Sequence, residues 1–343
     1  MTQEIAFAAV NLSMSNAKTS GLLFYGGEPL LERQLIYDTV NYANSIKEKT
    51  GHNFYYKITT NGTLLDEEFL KFSKEHNLTI GFSHDGPMQD KCRLFNDGSG
   101  TAALLEEKIS LLLEYQPYAL AMSVMDPSTV HNGAEIVKFL FDKGFRYIHI
   151  SVNYCKTAGW TEERLKVLEQ EYKKMAQMYI DWTGQEQKFY LSPFDMKILS
   201  HIKGEKYNSD RLLMMQNQPS VGSDGKIYYS SKYLDDVDFE LGDVFSGINV
   251  DKQKLIYEKS LTPAEPCKKC AIRTRCNYAY DSLISGKNGI STEILPMQCA
   301  NEQILTPIVD HAAETLYKEG NALFMHKHYN EMYPVISLLE DRI

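Results

Sequence analysis

Short apolar runs alternate with amphipathic stretches over the first half of this chain, and that alternation limits the folds open to it. Leu22-Leu23-Phe24-Tyr25 is strand-sized and ends in Gly26-Gly27. Helical periodicity follows over 30–49. The pattern then predicts a strand over 54–59 and a helix over 66–76, a strand over 78–83 and a helix over 102–115. It continues with a strand over 118–124 and, after Pro127, a helix over 132–143. A strand over 147–153 and a long helix from 161 to about 182 close the series. Five strand–helix units in a row predict an α/β fold, a parallel sheet with helices outside it. Right-handed crossovers curl such a sheet toward an open or closed barrel. Chemistry in that architecture sits at the C-terminal ends of the strands.

The pattern changes after Lys188. Ser223-Asp224-Gly225-Lys226 is a hairpin-turn signal, with Ile227-Tyr228-Tyr229 following. An acidic stretch, Leu234-Asp235-Asp236-Val237-Asp238, reads as a solvated loop leading to a short strand near Leu241. A cysteine-bearing loop follows Pro263 and Pro266, and helices fill 300–317 and the end of the chain. The organisation expected is a barrel-like domain over 1–190, a small metal-stapled domain over 191–318 and a helical tail over 319–343. At the start, Thr2 is a predicted N-cap for a helix over 2–16, with Glu4 in its first turn.

Cys267, Cys270, Cys276 and Cys299 account for four of the six cysteines. Spacings of two and five residues bring three thiolates to one centre, and a loop returns the fourth. Four thiolates fit an iron–sulfur cluster or a structural zinc. Cys92 and Cys155 stand alone and read as small buried hydrophobes. The net charge of -9 excludes broad nucleic-acid binding, which needs a basic face. No apolar run reaches the ~20 residues of a membrane span. The first residues lack the basic start of a secretory signal. Clustered cysteines in such a chain point to metal binding in the reducing cytoplasm.

Three successive strand ends carry unusual residues. Gly26, Gly27, Glu28 and Pro29 put two glycines and a carboxylate after the first strand. The glycines let a ligand approach the backbone, and Glu28 can accept from an ammonium group. Taken alone, the segment also reads as a tight turn with Pro29 starting a helix. Thr60, Asn61 and Gly62 end the second strand, where Asn61-Gly62 also suits a left-handed turn. Ser83-His84-Asp85-Gly86-Pro87 ends the third, and Ser83 with Asp85 could bind a ribose. His84 is placed beside this pocket as a candidate substrate contact. The other histidines are scattered, and His326-x-His328 reads as a surface tail. No phosphate-binding loop and no nucleophile elbow is present.

Together these motifs resemble the radical S-adenosylmethionine proteins that carry a C-terminal SPASM-type iron–sulfur domain. That group includes the anaerobic sulfatase maturases and many maturases of ribosomal peptides. The resemblance covers nearly the whole chain and implies a partial (β/α)6 barrel. It implies that Gly26, Gly27, Glu28 and Pro29 meet the methionine amino group of S-adenosylmethionine. Thr60 and Asn61, and Ser83 and Asp85, would line the same pocket. Arg93 and Gly100-Thr101 fit the pattern too. A peptide or protein substrate is implied, as is an electron donor such as a flavodoxin or ferredoxin, with no nucleic-acid or membrane partner.

Two departures stand beside the match. The family's Cys-x3-Cys-x2-Cys loop, which holds the [4Fe–4S] cluster that cleaves the cofactor, occurs nowhere in the 343 residues. The first barrel strand and its loop are missing. The expectation is a chain truncated at its N-terminus, or else a non-catalytic subunit that presents a peptide to an active partner. With a strand missing, Leu22 to Tyr25 becomes an unguarded apolar edge. The second departure concerns the auxiliary clusters, of which the family commonly has two. One would use the fifth residue after Gly225, which is Ser230, a cysteine within 209–215, which is absent, and position 280, which is Tyr280. The other keeps Cys267, Cys270, Cys276 and Cys299, so the resemblance implies one auxiliary [4Fe–4S] cluster. Sulfatase maturases place a catalytic Asp where this chain has Ser231, which argues against sulfatase maturation specifically.

Overall fold

The computed structural model describes residues 1–15, 18–204, 217–278, 283–286 and 289–340. Helix α1 (Gln3–Ser13) begins as predicted, with the Thr2 hydroxyl accepting the backbone N–H of Ile5. Strand β1 (Thr19–Phe24) follows. A 3-10 turn, Pro29–Glu32, then leads into α2 (Arg33–Thr50). The series continues with β2 (Asn53–Thr60), α3 (Glu67–Glu75), β3 (Leu78–Ser83), the single turn α4 (Gln89–Cys92), α5 (Ala102–Tyr115), β4 (Leu120–Met125), α6 (Gly133–Asp142), β5 (Tyr147–Val152) and α7 (Glu162–Gly184).

A sixth unit, β6 (Tyr190–Ser192) and α8 (Phe194–Lys203), follows in the segment expected to open the second domain. A three-residue strand shows no period of two, so only its parallel pairing with β5 reveals it. The strands form one parallel sheet in the order β1-β2-β3-β4-β5-β6. Alternate residues face opposite sides. Ile58, Ile80, Phe82, Ala121, Ile148, Ile150 and Leu191 are buried on one face. The residues of the other face stand in register across the sheet. Ser83 pairs with Met122, Met122 with His149, and His149 with Ser192. Strand β1 ends the sheet, and its Leu23 is 58% exposed.

Beyond the sixth unit, β7 (Ser220–Val221), β8 (Lys226–Tyr228), β9 (Glu240–Asp243) and β10 (Gly247–Ile248) form an antiparallel sheet ordered β10-β9-β8-β7. The predicted hairpin turn is present: Gly225 has φ +90° and the Asp224 carboxylate accepts the Lys226 N–H. Helix α9 (Val250–Ser260), the hairpin β11 (Leu283–Gly286) and β12 (Gly289–Thr292), and the helices α10 (Pro296–Lys318), α11 (Ala322–Tyr329) and α12 (Tyr333–Glu340) complete the described chain.

Contacts divide the chain otherwise than at 190/191 and 318/319. One compact unit is Met1–Phe24, Glu32–Tyr56 and Lys203–Cys299; the other is Tyr25–Leu31, Lys57–Ile202 and Ala300–Ile343. In the first, Ile227, Tyr229, Phe239, Leu241 and Ile256 form a core, and Ile5, Ala8, Ala9 and Leu12 of α1 pack against it. Those four residues share one helical face, so the first helix belongs with the C-terminal sheet. Two isolated features also depart from expectation. Cys92 and Cys155 are exposed rather than buried, the first at the end of the single turn α4 and the second in the loop after β5. His328, read as part of a surface tail, is 6% exposed and lies against Tyr179 and Asp195.

Candidate functional site

The ends of β1, β2 and β3 carry the residues singled out by motif, and all of them lie in the second unit. Glu28 is the anchor. One carboxylate oxygen accepts the Leu30 N–H at 3.0 Å and the Thr60 hydroxyl at 2.7 Å. The other accepts the Asn61 N–H at 2.7 Å. Thr60 Oγ1 in turn accepts the Gly62 N–H. A carboxylate held by three donors keeps its negative charge in one place and retains lone pairs for a further donor. Pro29 begins the 3-10 turn, as the bland reading required.

Gly26 and Gly27 have no atom of this chain within 4 Å of where a Cβ would stand. Neither lies in the left-handed region. The fold therefore does not require glycine there, and both leave open backbone for a ligand. Gly62 differs: its φ is +79° and a Cβ would meet the Phe82 ring at 2.2 Å. The Asn61 side chain serves the same turn, its oxygen accepting from the N–H and hydroxyl of Thr63.

Asp85 does not present a free carboxylate to a ribose. It is 3% exposed. Its Oδ1 accepts the Ser123 hydroxyl at 2.7 Å and the Val124 N–H at 3.2 Å, and its Oδ2 accepts Arg93 Nε at 2.7 Å. It thus acts by aiming Arg93, whose side chain is 32% exposed. Ser123 was not foreseen, because no local pattern links it to a residue 38 positions earlier. Ser83, half-buried at the end of β3, makes no side-chain hydrogen bond among the described residues. Gly100 and Thr101 serve the framework. A Cβ on Gly100 would strike the Asp90 carboxylate, which caps Ala102, and Thr101 ties Gln89 to the Arg93 carbonyl. His84 is 1% exposed, accepts the Gly86 N–H through Nδ1 and stacks on Phe139. Burial lowers its pKa to about 4, so it is a neutral framework residue at pH 7.

The cysteines lie in the first unit. The 3-10 turns Glu265–Cys267 and Arg273–Arg275 shape their loop, and Cys299 stands in the first turn of α10. Cys267 is buried, Cys270 and Cys276 are partly so, and Cys299 is exposed. Burial, then the neighbouring Cys299 and Cys270, push up the Cys267 thiol. Cys276 Sγ accepts the Tyr278 N–H at 3.4 Å. Among the described residues no three His, Cys, Asp or Glu side chains stand as a ready metal-holding group. The donor set still suits a soft metal centre: the Cys267 thiol neighbours those of Cys299 and Cys270, and an N–H is directed at the Cys276 sulfur. Ser230 opens the 3-10 turn Ser231–Tyr233 after β8. Tyr280 and positions 209–215 lie outside the described residues.

No family model matches the chain. The cysteine-type anaerobic sulfatase-maturating enzyme of Clostridium novyi (strain NT) is 31% identical over 128 residues, 36% of this chain and 34% of that protein. That match thus spans about a third of the relative's length. The corresponding enzyme of Clostridium perfringens (strain 13 / Type A) is 23% identical over 268 residues, 72% of this chain and 70% of that protein. The solved structure of native anSMEcpe with bound AdoMet and Kp18Cys peptide matches with a TM-score of 0.73 at 19% identity, over 92% of this chain and 91% of that one. At that identity the match establishes the fold. The chain is thus similar in sequence to the anaerobic sulfatase-maturating enzymes and has the fold of one of them.

Proposed function

We propose that this chain is of the radical S-adenosylmethionine peptide or protein maturase type, built on a partial (β/α)6 barrel, working in the cytoplasm and lacking the loop that holds the cofactor-cleaving cluster. The observation that carries the reading is the Glu28 carboxylate, fixed by Leu30, Thr60 and Asn61 beside two open-faced glycines. Glu28 and the carbonyls of Gly26 and Gly27 receive the ammonium of the cofactor. Ser83 offers its hydroxyl to the ribose, and Asp85 holds the Arg93 guanidinium toward the pocket. When bound and reduced, the family's cofactor system supplies a carbon radical that takes a hydrogen atom from a substrate. Relatives support the substrate class: the solved anSMEcpe structure holds a peptide. Cys267, Cys270, Cys276 and Cys299 would hold one auxiliary [4Fe–4S] cluster, with a flavodoxin or ferredoxin as electron donor.

The sequence contains no Cys-x3-Cys-x2-Cys. This favours a second reading, a binding subunit that presents a peptide to an active partner. Anaerobic purification, metal and sulfide analysis and calorimetry with S-adenosylmethionine test both. Iron with matching sulfide and saturable cofactor binding are expected. Zinc without sulfide removes the cluster assignment, and failure of the wild-type chain to bind the cofactor removes the maturase reading. Release of 5′-deoxyadenosine by the chain alone would reject the subunit reading.

A further inference from the structure

The face of the sheet opposite its helix-covered core carries an ammonium and an imidazole that the cofactor motifs do not use. None of the strands β1 to β6 contains an Asp or Glu. Lys57 stands on β2, two residues before Thr59 and so on the same face. Thr59 Oγ1 lies 4.0 Å from Met122 Sδ, which places that face beside the row Ser83, Met122, His149 and Ser192. Gly81 lets those two side chains meet over the sheet, since a Cβ there would stand 3.1 Å from Met122 Sδ and 3.3 Å from Thr59 Oγ1. His149 Nδ1 is bonded to Ser192 Oγ at 3.0 Å, leaving Nε2 for a ligand.

No ion pair or hydrogen bond engages the Lys57 ammonium among the described residues. Burial alone lowers its pKa; no acidic group acts on it. His149 is lowered first by burial and then by Lys57. Strands β2 and β5 are three places apart in the sheet, about 14 Å if it were flat, a span that the long Lys57 side chain narrows, and Lys57 acts on His149 across it. A half-buried ammonium with no carboxylate beside it is poorly compensated, and an incoming anion would relieve it.

We propose that Lys57 and His149 form an anion-receiving subsite that takes a carboxylate of the peptide substrate. This rests on the maturase reading for the identity of the ligand. The cofactor's own carboxylate is a poor occupant. An α-amino acid carries its carboxylate on the carbon that bears its ammonium, so a cofactor held at Glu28 keeps both groups at the β1–β2 side, away from His149 on β5.

The full chain with S-adenosylmethionine is titrated with acetyl-Gly-Glu-Gly-amide and its Gln counterpart. Ring resonances of labelled histidine are followed by NMR, with His149→Gln for assignment. The Glu peptide raises the His149 titration midpoint and the Gln peptide leaves it unchanged. Lys57→Met weakens the Glu peptide by about 10-fold or more and leaves cofactor affinity as it was. Equal responses to the two peptides, or none, overturn the proposal without reliance on any variant folding. So does a Lys57→Met protein that loses the cofactor instead of the peptide. A wild-type chain that ignores the cofactor yet shows the Glu-specific shift would end the maturase reading and leave the subsite standing.

Discussion

Both oxygens of Glu28 meet donors of the Thr60-Asn61 segment, and one also meets the Leu30 N–H, which makes the residue sensitive to the loss of one atom type. Glu28→Gln keeps an acceptor for Leu30 and Thr60 but turns an N–H₂ toward the Asn61 N–H. We expect a stability loss of about 1–3 kcal/mol in urea denaturation together with weaker binding of S-adenosylmethionine. Lys197 and Glu302 form an ion pair whose side chains are 1% and 2% exposed. Lys197→Met strands a buried carboxylate and should cost about 3–5 kcal/mol. Adding Glu302→Leu should recover most of that loss. If the double variant is as unstable as the single one, the pair is not the cause. His84 and His328 are both buried and both lowered to about 4, chiefly by burial. The unfolded chain takes up their protons more readily, so their contribution is complete above pH 6.5 and is lost as the pH falls from 6.5 toward 4. At pH 5 the loss amounts to roughly 2 kcal/mol for each. Denaturation midpoints at pH 7 and pH 5 check this, and His84→Gln should flatten the dependence.

Elements show where local signals suffice and where they do not. Strand β3 and helix α5 have the bounds their sequences predict: Asn77, with φ +54°, breaks the chain before the strand, and Pro117 follows the residue after the helix. The Asn61-Gly62 turn is equally local: φ +79° and the Phe82 ring both exclude a side chain. Strand β6 is different, since three residues carry no period, and only β5 beside it makes it a strand. Helix α1 is predicted as a helix, yet its packing on the core of the small antiparallel sheet has no local signature. Strand β1 ends the sheet and contains neither charge nor proline, the features that usually guard an edge. Leu23→Lys should therefore slow aggregation on heating, read by light scattering, with little change in the unfolding midpoint. Faster aggregation of the variant would mean that this edge is not the adhesive surface.

At the scale of the whole molecule, the cysteine-bearing segment and the strand-end motifs belong to separate compact units. Removal of a bound metal should then act on one of them selectively. After treatment with a strong chelator under reducing conditions, limited proteolysis is expected to cut within 263–299 first, while the segment 57–202 stays protected. Uniform digestion of both segments would contradict it. No helix among the described residues is long and apolar enough to cross a membrane.

The sequence by itself determined the succession of strands and helices, the turns at Asn61-Gly62 and Asp224-Gly225, and the spacing of Cys267, Cys270 and Cys276. These rest on periodicity, backbone preference and short loops, which act within a few residues. Only the tertiary structure decided that Asp85 turns inward to Ser123 and Arg93, that His328 is buried, and that Lys57 and His149 share one face. Strand register and sheet curvature set those meetings, and both depend on contacts between segments far apart in the chain.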